Sequence, residues 1–151
     1  MTADPALLDA LRSLYREVDA VYEGARCDRS TECCRFGLTG REPQVTSLEL
    51  ALVKKALAAR GGKLSPKRRA LPLSSDAERE RVCPLLEQPG GCTIYDARPL
   101  GCRTFFCGRA ELPSRIDRRQ LQHFVRTLQA LAVRHARDGD RPRALTSALK
   151  G

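Results

Sequence analysis

The chain has no tryptophan, a single methionine, two histidines and few aromatic side chains, which make up 5% of its 151 residues. Its core must therefore be packed mainly from Leu, Ala and Val. The same scarcity removes the interleaved aromatic platforms on which single-stranded nucleic acids stack. His123 and His135 share no ligand spacing, and both are expected in structural or surface roles. No stretch approaches the ~18 apolar residues of a membrane span. The opening residues, MTADPALLDALRSLYREVDA, lack a basic segment followed by an unbroken apolar run, so they are not read as a secretory signal. No internal repeat and no strong period-two alternation is visible. The "GGK" at 61–63 is not a phosphate loop, because Leu57 stands where that motif has its earlier glycine.

Basic charge and cysteine are what the chain has in quantity. With 27 Lys and Arg against 18 Asp and Glu, the formal net charge is +9. The basic residues are spread out, with local crowding in SPKRRALP and PSRIDRRQ. A solvated surface accounts for them, and a nucleic-acid face is the less favoured reading. The cysteines are Cys27, Cys33, Cys34, Cys83, Cys92, Cys102 and Cys107. An odd number leaves one thiol over if all pair as disulfides. The chain reads as cytosolic, where clustered thiols serve as metal ligands or catalytic groups more often than as disulfides. A chain of this length buries roughly 68–70% of its unfolded surface, so a single domain over residues 1–151 needs no disulfide staple.

Three helices are expected. The first runs from DPALLDALRSLYREVDAVYEG, with apolar residues at 7, 8, 11, 14, 15, 18, 21 and 22, Asp4 as cap, Pro5 in the first turn and Gly24 at the end. The second, VTSLELALVKKALAARGG, carries a capping box of Thr46 and Glu49, staple positions at Val45 and Leu50, and a Gly61–Gly62 stop. The third is expected from Ser114, with Asp117 as box partner and an apolar face at Ile116, Leu121, Phe124, Val125, Leu128, Leu131 and Ala132. Residues 63–82 read as a basic connection with at most a helical turn, and 83–110 as irregular and rich in Pro and Gly. Residues 138–151 are expected to add a turn or to fray. The fold class is mostly α, with little or no sheet and three principal helices supporting two cysteine-rich loops.

The thiols fall into two groups, 27–34 and 83–107, each in a loop beside helix ends. Irregular backbone of this kind can turn thiolates from distant segments toward one metal. Isolated cysteines would be read as small buried hydrophobes, but seven in two clusters are not. The stretches CPLL and CTIYDARPLGCRTF resemble the signature C-P-[FL]-L … C-x-I-Y-x-x-R-P-x-x-C-R-x-F of the YkgJ-like cysteine-cluster family. CDRSTECC resembles that family's upstream C-x-x-C-x-x-C-C, with Ser30 in place of the second cysteine. The resemblance covers about residues 27–107 and implies a zinc- or iron-chelating domain. All seven cysteines are candidate ligands. All-thiolate ligation suits tetrahedral zinc and an iron–sulfur centre alike. Arg98 and Arg103 are expected to favour the ionised thiols and donate to sulfur, and Tyr95, Phe105 and Phe106 to wall the site from water. The leading reading is a cytosolic metal-binding protein. The alternatives are a small redox or protein-modifying enzyme using that centre, and a basic nucleic-acid-binding module with a structural metal.

Overall fold

The computed structural model describes residues 2–27, 31–62, 64, 81–87, 91–106, 110–112, 117–136 and 140–151. Most of the 63–82 connection, Ser30 and Cys107 lie outside the described residues. Helix α1 spans Pro5–Val21. The Asp4 carboxylate accepts the Ala6 N–H at 2.9 Å, and Pro5 stands at the first turn, where no intrahelical N–H bond is needed. Its helical spacing puts Leu7, Leu8, Leu11, Leu14, Tyr15 and Val18 on one buried face. A one-turn helix α2, Phe36–Thr39, buries Phe36.

Strand β1, Gln44–Val45, leads into α3, Ser47–Ala59. The expected capping box is present: Thr46 Oγ1 accepts the Glu49 N–H at 3.2 Å, and Glu49 Oε2 accepts the Thr46 N–H at 2.9 Å. Val45 and Leu50 at the staple positions are both buried. The end is a Schellman motif in which Gly62 N–H reaches the Leu57 carbonyl at 2.8 Å and Gly61 N–H the Ala58 carbonyl at 3.0 Å. Both glycines have positive φ, 91° and 71°, a region that costs a side chain strain.

The second cysteine segment contains the antiparallel pair β2, Leu86–Glu87, and β3, Gly91–Cys92. A 3-10 turn at Tyr95–Ala97 and a one-turn helix α4, Leu100–Arg103, follow. Gly101 allows α4 to press on the chain before β1, since a Cβ there would come within 3.1 Å of the Pro43 Cβ. Helix α5 spans Arg118–His135. Its cap is Asp117, not the expected Ser114: Asp117 is extended (φ −68°, ψ 133°) and its carboxylate accepts the Arg119 N–H at 3.1 Å. Ser114 and Ile116 lie outside the described residues. Phe124, Leu128, Leu131 and Ala132 form the buried face of α5, while Val125 is exposed rather than part of it.

The C-terminal residues are anchored. Strand β4, Arg143–Ala144, pairs antiparallel with β1, and helix α6, Leu145–Lys150, follows. Asp140 accepts the Ser47 N–H at 2.6 Å, Leu145 N–H donates to the Pro43 carbonyl at 3.0 Å, and Glu42 accepts the Thr146 N–H at 2.7 Å. Helices α1, α3 and α5 pack against one another, and their buried faces share one apolar cluster with Leu85, Leu86, Ile94, Leu100, Leu145 and Ala148. The fold is mostly α, with only two-residue strands among the described residues. No helix among the described residues is long and apolar enough to cross a membrane.

Candidate metal centre

The two cysteine groups meet through the backbone. Arg35 and Val82 form an antiparallel bridge, flanked by a 2.7 Å bond from the Cys83 N–H to the Cys34 carbonyl. Gly37 N–H also donates to the Arg81 carbonyl at 3.2 Å. The first group is thus held against the second at the residues that carry Cys34 and Cys83. Cys33 and Cys34 lie in a 3-10 turn, Glu32–Cys34, preceded by Thr31 in the left-handed region at φ 62°. Their sulfurs are 4.0 Å apart. Cys92 ends β3, and Cys102 sits in α4.

Exposure falls from one side of this group to the other. Cys33 is exposed, Cys34, Cys92 and Cys102 are half-buried, and Cys83 is buried. Burial pushes the Cys83 thiol up to about 12, with the nearby Cys92, Cys33 and Glu42 charges adding to the rise and the Leu85 N–H opposing it. Burial likewise raises Cys102 to about 12, reinforced by Cys83 and Cys92 and opposed by Arg98. Cys92 is raised by burial, against the Ile94 N–H and the Arg98 and Arg60 charges. Hydrogen bonding with Cys34 holds Cys33 down to about 6, against partial desolvation and aided by Arg98. The same contact, then burial and the Cys33, Cys83 and Cys92 charges, drives Cys34 up. Cys33, Cys83, Cys92 and Cys102 therefore lie within one another's fields, and Cys34 within those of Cys33, Cys83 and Cys92.

This donor set fits a thiophilic cation. At Cys83 and at Cys92 the amide two residues on, from Leu85 and Ile94, supports the ionised sulfur. Amides aimed at sulfur orient a thiolate and stabilise its charge, as outer partners of metal ligands do. The burial and mutual repulsion that raise Cys34, Cys83, Cys92 and Cys102 are opposed by a bound dication, which favours the ionised sulfur. Among the described residues no three Cys, His, Asp or Glu side chains already stand at ligand distances. Cys27 is exposed beside the Arg26–Glu111 bridge, and Cys107 lies outside the described residues.

The residues expected around sulfur divide. Arg98 is the cation that acts on Cys33, Cys92 and Cys102. Its Nε donates to the Tyr95 carbonyl at 3.0 Å, and its guanidinium lies 3.7 Å over the Tyr95 ring. Tyr95 is 60% exposed, so it carries Arg98 instead of walling off the thiols. Phe105 lies under Arg41 and Phe106 against Tyr22, both half-buried. Arg103 is buried, and among the described residues its nitrogens meet the Arg98 carbonyl, the Asp96 carbonyl and the Asp19 carboxylate, not sulfur. Residues missed from sequence are Arg60, whose Nη1 donates to the Thr93 carbonyl beside Cys92, and Glu42, whose charge adds to the rise of the Cys83 thiol. Neither has a local signal, because each approaches the thiols only through tertiary packing.

An α-helical support presenting converging thiols with amide donors is a metal-binding domain of the cysteine-cluster class. Over residues 26–123 the chain matches the family model CxxCxxCC, described as a "Putative zinc- or iron-chelating domain". The match covers more than half of the chain, and the protein belongs to this YkgJ-like family and binds metal. No curated protein and no solved structure matches it.

Proposed function

We propose that Cys33, Cys34, Cys83, Cys92 and Cys102 supply the thiolates of a zinc or iron site, with Cys27 and Cys107 as flanking ligands. The observation that carries this reading is the backbone join between Cys34 and Cys83, which brings thiols from two distant segments into one electrostatic unit. Thiolate donors without histidine suit tetrahedral zinc or an iron–sulfur centre. A bound zinc or iron would supply Lewis-acid or electron-transfer chemistry, and this chain's residues would hold and orient it. Arg98 and Arg60 partly balance the thiolate charge, and the Leu85 and Ile94 amides fix two of the sulfurs. A reducing compartment such as the cytosol suits such a cluster, since it keeps thiols available.

The exposed, acidified Cys33 favours one further reading, a small redox or protein-modifying enzyme in which this sulfur meets the other reactant. Protein purified without oxygen decides the main proposal by its metal content and visible spectrum. Stoichiometric zinc or iron that is lost in Cys83→Ser supports it. Protein that arrives metal-free and takes up neither ion on reconstitution overturns it. A colourless zinc form would exclude the iron–sulfur alternative.

A further inference from the structure

Residues 42–47 stand between the C-terminal tail and the segments that carry Cys83 and Cys102. On one side they hold the tail. Ala144, before α6, offers no side-chain cap. Glu42 supplies one from 104 positions away: its Oε1 accepts the Thr146 N–H at 2.7 Å and the Thr146 O–H. A carboxylate suits the first turn of a helix, where N–H groups lack intrahelical acceptors. The Leu145 N–H donates to the Pro43 carbonyl at 3.0 Å, β1 pairs with β4, and the Ser47 N–H donates to Asp140 at 2.6 Å. On the other side the same residues meet the ligand segments. Glu42 Oε2 stands 3.8 Å from Nη1 of Arg81, two residues before Cys83, and its charge acts on the Cys83 thiol. That ion pair is exposed at its arginine and weak alone. The packing at Pro43 is firmer: a Cβ on Gly101, the residue before Cys102, would come within 3.1 Å of the Pro43 Cβ. Helices α4 and α6 both pack on β1. Residues 140–151 lie beyond the 26–123 stretch that matches the family model.

From this two-sided grip we propose that the C-terminal tail is part of the metal site's framework: through Glu42 and Pro43, as positioning residues, it fixes the stretch to which the Cys83 and Cys102 segments are joined, so that zinc affinity depends on residues 140–151. The inference deepens the metal-binding reading and rests on it. Close-packed interiors transmit small displacements instead of absorbing them. A tail that loosens its hold on Glu42 or Pro43 lets β1 shift, and the α4 turn that presses on Pro43 shifts with it. Thr146 is the point at which to perturb the tail. Thr146→Val removes the hydroxyl donor at similar shape and leaves the Glu42 carboxylate in place. Glu42→Gln would mix two effects, because it also removes a charge that acts on the Cys83 thiol.

The test compares wild type with Thr146→Val, Thr146→Ser, Gly101→Ala and Leu131→Ala, the last a buried change on α5, which carries no candidate ligand. Zinc affinity is measured by chelator competition, thiolate geometry by the visible spectrum of the cobalt-substituted protein, and stability by the melting temperature of the metal-free protein. Thr146→Val is expected to bind zinc about 10-fold more weakly, the lower end of the usual range for lost outer partners of metal ligands. Gly101→Ala, which pushes α4 off Pro43, should weaken binding by a similar factor, and the cobalt bands should shift in both variants. Thr146→Ser keeps the hydroxyl and should stay close to wild type. Leu131→Ala should lower the melting temperature more than Thr146→Val does, yet keep zinc affinity within about twofold, as independent sites do. Should Thr146→Val or Gly101→Ala not fold, Asp140→Ala, which removes the acceptor of the Ser47 N–H, replaces it with the same loss expected. Zinc affinity within about twofold of wild type in either variant overturns the inference alone. So does a loss in Thr146→Ser or Leu131→Ala equal to that in Thr146→Val. Wild-type protein that binds no metal overturns the metal-binding reading, and this inference falls with it.

Discussion

Leu145→Ala tests whether the last twelve residues belong to the folded core. Leu145 is 1% exposed, lies in the same apolar cluster as α1 and α3, and opens α6 directly after β4. Its N–H bond to the Pro43 carbonyl is a backbone contact and survives the substitution. Alanine suits a helix, so the change isolates burial. Truncating a buried leucine costs about 2–5 kcal/mol, from lost transfer energy plus the cavity left behind. This site lies near the chain's end, where partial collapse is easier, so about 3 kcal/mol is expected, near the low end of that range. For a chain of this length that corresponds to a fall of roughly 6–12 °C in Tm. Urea titration at fixed metal content, read by circular dichroism, gives the difference directly, with an unchanged slope if unfolding stays two-state. A loss below about 0.5 kcal/mol, the range of surface substitutions, would mean that the tail frays in solution and that its β4–β1 pairing is not part of the stable fold.

Chelation should lower the melting temperature markedly, because structural zinc in small sites contributes roughly 10–16 kcal/mol of apparent binding energy; an unchanged melt after verified metal removal would contradict a structural role. Cys92→Ala is expected to lose metal while retaining the helical circular dichroism signal, and full occupancy by elemental analysis would remove Cys92 from the ligand set. Metal uptake should release protons at pH 7, since burial holds Cys83 and Cys102 protonated up to about 12 and a thiol must ionise to ligate. Apparent zinc affinity should therefore rise with pH between 6 and 9, with calorimetry in buffers of different ionisation enthalpy counting the protons; a flat profile would mean that these two thiols are not ligands.

Local chemistry made the helices legible from the sequence. Asp4 with Pro5, Thr46 with Glu49, and the Gly61–Gly62 stop each act within a few residues, so their signals survive without knowledge of the fold. The cysteine signature was readable for the same reason, as a spacing of residues in short loops. The start of α5 is not fixed locally, because Ser114 and Asp117 both satisfy the cap pattern; the extended backbone at Asp117 puts the cap there. The tail could not be decided locally: six residues make a marginal helix alone, and α6 depends on partners at Glu42 and Pro43 about a hundred positions earlier. The pairing of Cys34 with Cys83, and the turn of Arg103 away from sulfur toward Asp19 and two carbonyls, are equally non-local. Sequence by itself determined which side chains carry the chemistry and which stretches coil into helices. Tertiary structure alone decided which thiols meet and which charges face them, because burial and proximity arise only when distant segments pack together.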